Sequence, residues 1–333
     1  MSNRKWNLGI VLLFLLFVFL LLQFLFSTLR IRELVHPQNA AGNGQDPAAY
    51  VVLISQELDN PFWRSLEQGA RDASRRYGFH LEYIGPFRIN PGEQIRLLEK
   101  SIAAKPDAIL LQGINDPSYR ELIDEAVSQG IAVIAVDTDE PGSRRLAYVG
   151  TDNLAAGKKM GELVAQAARG QGGIGVLIGT EQAENQRLRL AGFRAVIDEY
   201  PGLSVVDVRS SEISRLQAAQ EAEDILTRYP RVRYMVGFSS LDGVGILEAA
   251  GRMNRQDVRI YAFDDVADTV EAIAGCRIES SIVQYPYEMG YQAVSLFSGY
   301  KEGRQPQPQH FTAIKVLDRG ATGTGNGNGE RCP

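Results

Sequence analysis

The sequence has few of the residues that build disulfide frameworks and metal sites. Only two cysteines, Cys276 and Cys332, occur in 333 residues, so neither a disulfide framework nor a cysteine-rich zinc site is available. The three histidines, His36, His80 and His310, are scattered along the chain, which argues against a histidine-based metal site. The composition therefore predicts neither a metal nor a cofactor.

The sequence also lacks the signatures of nucleic-acid binding and of the common hydrolases. No run of Lys or Arg is longer than a pair, and the formal net charge is -5, so no basic surface for nucleic acid is expected. There is no HExxH, no GxxxxGK[ST] and no GxSxG motif, which would mark a metalloprotease, a phosphate-binding loop or a nucleophile elbow. The chain is therefore predicted not to be an enzyme.

The N-terminus carries a long apolar run. From Leu8 to Leu29 there are 22 positions without a charge, preceded by Arg4 and Lys5. A helix of about 20 apolar residues crosses a bilayer, whereas the core of a signal peptide is about 7–15 residues long. We expect residues 1–30 to form an uncleaved, single-pass membrane anchor that leaves the rest of the chain outside the cytoplasm. A removed signal peptide is the alternative.

The remainder divides by composition. Residues 31–49 are polar with interspersed Pro and Gly and are expected to be a linker. Residues 319–333 include a Gly- and Asn-rich run and are expected to be a disordered tail. Between them, short apolar runs alternate with helical patterns in two successive series, with a hinge near Gly150–Asn153. Such alternation predicts an α/β fold of two Rossmann-like lobes with parallel sheets.

The first strand and the turn after it contain two aromatic residues. Tyr50–Ile54 is typical of a strand buried on both faces. Asn60 can cap the next helix and Pro61 can occupy its first position, which places Phe62 and Trp63 in the first helical turn. Ligands of open parallel α/β sheets bind at this carboxyl edge of the strands.

Polar side chains recur directly after the later strands of the series, at Gln112, Asp137, Ser239 with Ser240, Asp264 and Gln284. If the strand ends of both sheets face one cleft, carboxylates can accept hydrogen bonds from hydroxyls, and amides can both donate and accept. Arg187 would add a rigid fork of donors, and Phe62 and Trp63 would offer apolar faces. This combination is typical of a site for a small polyhydroxy ligand such as a sugar.

Each of these residues also has a structural interpretation. Asn60 is a good helix cap in any case, Asp152-Asn153 can begin a helix, and Arg187 can lie on a solvated helix face. Asp137 and Asp264 can be ordinary turn residues or the carboxylate pair of a glycosidase. The sugar-site hypothesis therefore depends on their joint placement.

The order of several short motifs resembles the periplasmic sugar-binding proteins of the ribose/galactose-binding type, which share their fold with the ligand-binding core of the lactose-repressor family. The motifs are DNPFW, AVDT, GTDN, QRLRLAGF, YAFDD and IVQYP, and the similarity covers about Tyr50 to Leu317. The resemblance implies two lobes joined by three crossing segments that close on a sugar by hinge motion. The implied lobe bounds are 50–151 with 285–312, and 152–284 with 313–318.

The resemblance also implies the ligand-binding residues. The family's binding positions fall on Asn60, Phe62, Trp63, Gln112, Asp137, Asn153, Arg187, Asp264 and Gln284. Three departures are visible: Thr138 stands where ribose binders commonly have arginine, Ser239-Ser240 replaces an asparagine-aspartate pair, and no aromatic occurs near Ser211–Ile213. The pocket is therefore expected to differ from that of a ribose binder.

The sequence is compatible with two different protein partners. A tethered receptor would deliver a monosaccharide to the permease of an ABC-type importer. The alternative is a sensory subunit whose closed form contacts a membrane histidine kinase or a chemoreceptor.

Overall fold

The computed structural model describes residues 13–24 and 48–322 of the chain. Residues 13–24 are helical and exposed; the rest of the predicted anchor, most of the predicted linker, and residues 323–333 of the predicted tail lie outside the described residues. Within the two described ranges, no helix combines the length and the apolar character needed to cross a membrane. Residues 13–24 belong to a compact unit distinct from the one that begins at Ala49.

The unit from Ala49 onward alternates strands and helices along most of its length. The strands are β1 (Tyr50–Ile54), β2 (His80–Ile84), β3 (Ala108–Leu111), β4 (Ala132–Val136), β5 (Ala147–Thr151), β6 (Gln171–Ile178), β7 (Gly202–Ser210), β8 (Tyr234–Gly237), β9 (Arg259–Phe263), β10 (Ser280–Val283), β11 (Gln309–Thr312) and β12 (Lys315–Asp318). The helices are α1 (Pro61–Tyr77), α2 (Pro91–Ala104), α3 (Pro117–Ser128), α4 (Asn153–Ala168), α5 (Glu184–Ile197), α6 (Arg215–Arg228), α7 (Asp242–Arg252), α8 (Ala267–Ala274) and α9 (Pro286–Lys301), and a 3-10 turn covers Arg319–Thr322.

The strands form two six-stranded sheets, which confirms the predicted α/β class with parallel sheets. The first sheet has the order β11-β5-β4-β3-β1-β2, and every pair in it is parallel. The second has the order β12-β10-β9-β8-β6-β7, in which only the pairing of β10 with β12 is antiparallel. The chain passes between the sheets after β5, after β10 and after β11. This distribution of strands is compatible with two lobes, whose exact bounds stay a prediction.

Each sheet is covered by helices on both faces. Alternate residues of β1 enter different cores: Val51 and Leu53 pack with α1 and α9, and Val52 and Ile54 pack with α2 and α3. The second sheet follows the same rule, with α4 and α5 on one face and α6, α7 and α8 on the other. Because both of their faces are buried, inner strands such as β3 and β4 are apolar runs without alternation.

Short capping turns direct the helices away from the carboxyl ends of the strands. Asn60 accepts a hydrogen bond from the Phe62 amide, and Pro61 is the first residue of α1, as predicted. Asn90 with Pro91 and Asp116 with Pro117 repeat this arrangement at α2 and α3. A side-chain cap followed by proline fixes the start of a helix, so the residues just before each cap stay at the edge of the sheet.

Two helix pairs pack at very short range. A Cβ atom on Gly69 of α1 would lie 1.9 Å from the Tyr287 carbonyl oxygen at the start of α9. A Cβ atom on Gly157 of α4 would lie 2.0 Å from the Arg189 carbonyl oxygen in α5. Glycine is therefore required at both contacts, and the second contact fixes the position of Arg189 relative to α4.

Candidate functional site

Two aspartates occupy equivalent places in the two sheets. Asp137 follows β4 and Asp264 follows β9, and both have a left-handed backbone, with φ of 62° and 63°. Aspartate tolerates this conformation better than most residues. It turns the chain sharply at the end of the strand and lets each carboxylate face the space between the sheets.

The neighbouring strand holds each of these turns in the same way. The Tyr148 hydroxyl donates to the Asp137 carbonyl oxygen at 2.7 Å, and the Ser281 hydroxyl donates to the Asp264 carbonyl oxygen at 2.5 Å. These bonds hold the main chain of both turns in place.

An amide accompanies each carboxylate. Gln112 donates through Nε2 to Asp137 at 2.7 Å, and Gln284 donates through Nε2 to Asp264 at 2.9 Å. The Oε1 atom of Gln284 accepts from the Thr151 hydroxyl at 2.8 Å. Gln284 thereby links the end of β5 in the first sheet to the carboxylate of the second sheet.

Arg189 lies at the centre of the site and is only 2% exposed. Its guanidinium donates to the Asn153 side chain at 2.8 Å, to the Phe238 carbonyl oxygen at 2.8 Å and to Gln284 Oε1 at 3.0 Å. The guanidinium carbon lies 3.8 Å from the centre of the Phe263 ring, a cation–π contact. Arg189 is therefore held rigidly from several sides.

Burial dominates the electrostatics of these three charged groups. Burial raises the pKa of Asp137 and raises the pKa of Asp264 to about 6, while the nearby Arg189 guanidinium opposes both shifts. Burial likewise lowers the pKa of Arg189, and Asp264 and Asp137 oppose that shift. Two carboxyl groups thus share one buried cation, and burial raises the pKa of Asp264 to about 6.

Two aromatic side chains also contribute to the wall of the cleft. Trp63 is 2% exposed and belongs to the core beneath α1, and Phe62 is partly exposed and packs edge-on against it, with ring centroids 5.8 Å apart. Both nevertheless line the cleft together with Asn60. The core and binding interpretations of Trp63 are therefore compatible.

Eight of the ten residues predicted from sequence line one cavity in the cleft between the sheets. They are Asn60, Phe62, Trp63, Gln112, Asp137, Ser239, Asp264 and Gln284. The structure brings the two strand-end series together as expected, with residues of both sheets in a single wall.

The other two predicted residues lie elsewhere. Arg187 does not line the cleft; its side chain is 49% exposed and forms an ion pair with Glu184. The placement of Arg187 in the cleft is therefore corrected, and the arginine of the cleft is Arg189. Asn153 is buried behind Arg189, where it donates to the Thr151 carbonyl oxygen and accepts from the guanidinium. It positions the arginine and does not line the cavity.

Sequence reasoning missed several lining residues: Gln56, Ala183, Asn185, Gln186, Arg189 and Ile213, and it gave Ser240 only as the neighbour of Ser239. For Arg189 a signal existed. It lies three and four residues before the buried Gly192 and Phe193, so it shares their face of the helix, whereas Arg187 points to the other side. No comparable signal identified Gln56 or Ile213.

Three buried polar atoms of the cavity wall have no hydrogen-bond partner among the described residues. They are Oε1 of Gln112, Oδ1 of Asn185 and Oγ of Ser239. Leaving a buried polar atom unpaired costs about 1–3 kcal/mol. Because two are acceptors and the hydroxyl can both donate and accept, the wall suits a ligand that carries hydroxyl groups.

Comparison with known proteins places the chain among binding proteins. The family model described as a periplasmic binding protein domain matches residues 51–305. Among solved structures, the chain is 36% identical to GanP, a glucose-galactose binding protein from Geobacillus stearothermophilus, with a TM-score of 0.81 over 83% of this chain and 99% of that one.

The names of two further relatives refer to a complex with LytSN and to ribose import. The chain is 30% identical to a protein solved as the XylFII-LytSN complex, with a TM-score of 0.77 over 83% of this chain and 100% of that one. It is 21% identical to the ribose import binding protein RbsB of Escherichia coli K12, over 80% of this chain and 90% of the relative.

Proposed function

Because the chain belongs to the family of periplasmic binding protein domains, we propose that it captures a neutral sugar in the cleft between its two sheets by hinge closure. Family membership also confirms the prediction that the chain is a binding protein and not an enzyme.

The observation that carries this proposal is the composition of the cleft wall. Two carboxylate–amide pairs, Asp137 with Gln112 and Asp264 with Gln284, line the cleft together with Phe62. Vicinal hydroxyls can donate to the carboxylates and accept from an amide or guanidinium, while the C–H face of a sugar ring packs on an aromatic ring. The names of several relatives point to the same ligand class, since they refer to glucose and galactose, arabinose and ribose.

Isothermal titration calorimetry with the purified full-length chain tests the proposal. The panel contains D-glucose, D-galactose, D-xylose, L-arabinose and D-ribose, with mannitol as an acyclic polyol. We expect saturable binding of at least one cyclic sugar with 1:1 stoichiometry. If every sugar, including the disaccharides tested below, gives only the heat of dilution at millimolar concentration, the proposal fails.

The first candidate role is delivery of the sugar to the permease of an ABC-type importer. It is supported by the relatives named as import binding proteins for ribose and D-apiose. Affinity purification of the tagged chain from sugar-grown cells of its source is expected to recover a permease. Recovery of a sensor protein without any permease would contradict this role.

The second candidate role is sensing through a membrane histidine kinase or chemoreceptor. The specific observation in its favour is the 30% identity to the XylFII protein that is solved together with LytSN. In this case the same purification is expected to recover a sensor protein, and sugar in the buffer changes its yield. The two roles therefore predict different partner proteins, a permease or a sensor, in the same mass-spectrometric analysis.

Attachment to the membrane by residues 1–30 is also part of the proposal. Its support is the run of 22 uncharged positions from Leu8 to Leu29, which matches the thickness of a bilayer. The chain is expected to stay in the membrane pellet after an alkaline carbonate wash and to retain Met1 or Ser2 at its N-terminus by mass spectrometry. An N-terminus beyond residue 30 would show that the segment is a cleaved signal.

A further inference from the structure

A second cavity lies beside the cleft. It lies between the loops that precede α2 and α3 and the loops that follow β6 and β7, and we call it the side cavity. Its wall includes Ile89, Gln94, Gln112, Ile114 and Ile213. Gln56, Gln112, Ala183 and Ile213 also line the cleft cavity described above, so the two cavities are adjacent at these residues.

The side cavity has its own unpaired polar atom. Gln94 is 1% exposed, and its Nε2 atom has no hydrogen-bond partner among the described residues. Gln112, 4% exposed, has an unpaired Oε1 atom at the junction of the two cavities. A buried donor and a buried acceptor without partners are unfavourable, and hydroxyl groups can satisfy both.

The backbone of the junction is strained. Ile213 has a φ of 52°, and the preceding Glu212 has a φ of 48°. A β-branched residue with positive φ is a genuine outlier, and such conformations concentrate where a ligand is gripped. The loop is held in place by Ser211, whose hydroxyl accepts from the Ile213 amide at 3.2 Å and donates to the buried Asp242 at 2.6 Å.

The chemistry of the wall selects the ligand class. Glu212 is the only charged residue among those that line the side cavity, and its side chain is engaged by the Ser210 hydroxyl at 2.6 Å. The other wall residues are aliphatic or carry neutral polar side chains. A wall of this kind favours an uncharged group with both hydroxyls and apolar faces.

From these observations we infer that the side cavity is a second sugar subsite, so that the preferred ligand is a neutral disaccharide or longer glycoside. This inference rests on the proposed function, because the first sugar unit is placed in the cleft. Gln112 then contacts both units, and Gln94 contacts only the second.

Calorimetry on the full-length chain tests the inference with matched ligands. Monosaccharides (D-glucose, D-galactose, D-xylose and L-arabinose) are compared with disaccharides that contain them (cellobiose, lactose, melibiose, xylobiose and arabinobiose). We expect at least one disaccharide to bind about tenfold or more tightly than its component monosaccharides, which is the effect of one or two additional hydrogen bonds.

Substitution of Gln94 locates the second unit. Gln94→Leu and Gln94→Met each replace the amide with an apolar side chain of similar size. Both are expected to weaken disaccharide binding about tenfold and to leave monosaccharide binding unchanged. Because each removes an unpaired buried amide, neither should lower the melting temperature of the ligand-free chain. Gln220→Leu, at an exposed position of α6, is the control and should alter neither affinity.

The outcomes separate this inference from the proposed function. If monosaccharides bind and every disaccharide binds more weakly or not at all, the second subsite is wrong and the sugar-binding function stands. The inference is equally overturned if Gln94→Leu weakens both ligand classes alike. If no sugar of either class binds, the proposed function fails, and the subsite fails with it.

Discussion

Asp264 is a cleft residue whose pKa lies within the pH range of ordinary binding experiments. Its pKa is raised to about 6 because burial disfavours the carboxylate more than the nearby Arg189 favours it. A carboxylate that must accept hydrogen bonds from sugar hydroxyls loses that ability when it is protonated. Sugar affinity is therefore expected to fall as the pH decreases through about 6.

Replacing this carboxylate provides the test. Asp264→Asn is expected to weaken sugar binding by roughly 10–100-fold, the effect of losing a hydrogen bond to a charged group, and to abolish the pH dependence near 6. Asp265→Asn, at the exposed next position, is the control. Calorimetry between pH 5 and 8 measures both, and a wild-type affinity that is flat over this range would contradict the role of Asp264.

The same substitution makes a prediction about the stability of the ligand-free chain. A carboxylate with a raised pKa binds its proton more tightly in the folded state, so its contribution to the free energy of unfolding decreases as the pH rises from about 4 to about 6. Asp264→Asn removes that contribution. At pH 7.5 the variant should melt above the wild type, whereas at pH 3.5 the two should melt at nearly the same temperature.

Arg187 and Arg189 should behave in opposite ways. Arg189→Met leaves Asn153 and Gln284 without their donor and two carboxylates without their cation, so it is expected to cost about 3–5 kcal/mol of stability and to abolish sugar binding. Arg187→Met removes one exposed ion pair, worth about 0–1 kcal/mol, and should bind sugar normally. Urea unfolding measures the stability of both variants, and calorimetry measures their sugar affinity. Loss of binding in Arg187→Met would show that Arg187 belongs to the binding site, as the sequence predicts.

At the scale of single elements, the sequence predicts well where local chemistry determines the structure. Asn60 and Pro61 predict the start of α1, because a side-chain cap and a proline are local signals in the sequence. The start of α5 at Glu184 has no such signal, since no side chain caps that helix. Which of Arg187 and Arg189 lies in the cleft then depends on the packing of α5 against α4.

The packing of α4 on α5 gives a prediction of its own. Gly157→Ala places a Cβ atom 2.0 Å from the Arg189 carbonyl oxygen, so overpacking should destabilise the chain by about 1–3 kcal/mol and displace Arg189 enough to weaken sugar binding. The control is Gly251→Ala in α7, where no atom lies within 4 Å of the added carbon; it should stabilise by about 0.4–1 kcal/mol. Equal effects in urea unfolding would show that helix propensity, and not the close contact, decides.

At the scale of the whole molecule, the two-sheet architecture follows from the alternation of strands and helices, but the assembly of the site does not. Strand-end positions identify Asp137 and Asp264 because parallel strands share one carboxyl edge. Ile213 lies on a loop whose backbone is strained, and Gln56 follows the first strand without a distinguishing neighbour. Their place in the cleft depends on how the two sheets face each other, which short-range patterns do not encode.

Hinge closure provides a whole-molecule prediction. The Thr151 hydroxyl, at the end of β5, donates to Gln284 at the end of β10, and this bond joins two of the crossings between the sheets. Thr151→Val keeps the shape but removes the bond, so it should cost about 1 kcal/mol and weaken sugar binding severalfold by freeing the Gln284 amide. The control is Thr312→Val, on the third crossing, which loses a hydrogen bond to the Gly150 carbonyl oxygen but no contact with Gln284.

Small-angle scattering measures the closure. Sugar should decrease the radius of gyration of the wild type and of Thr312→Val, and should decrease that of Thr151→Val less at equal sugar concentration. Identical behaviour of the two variants would show that Gln284 does not couple the hinge to the cleft.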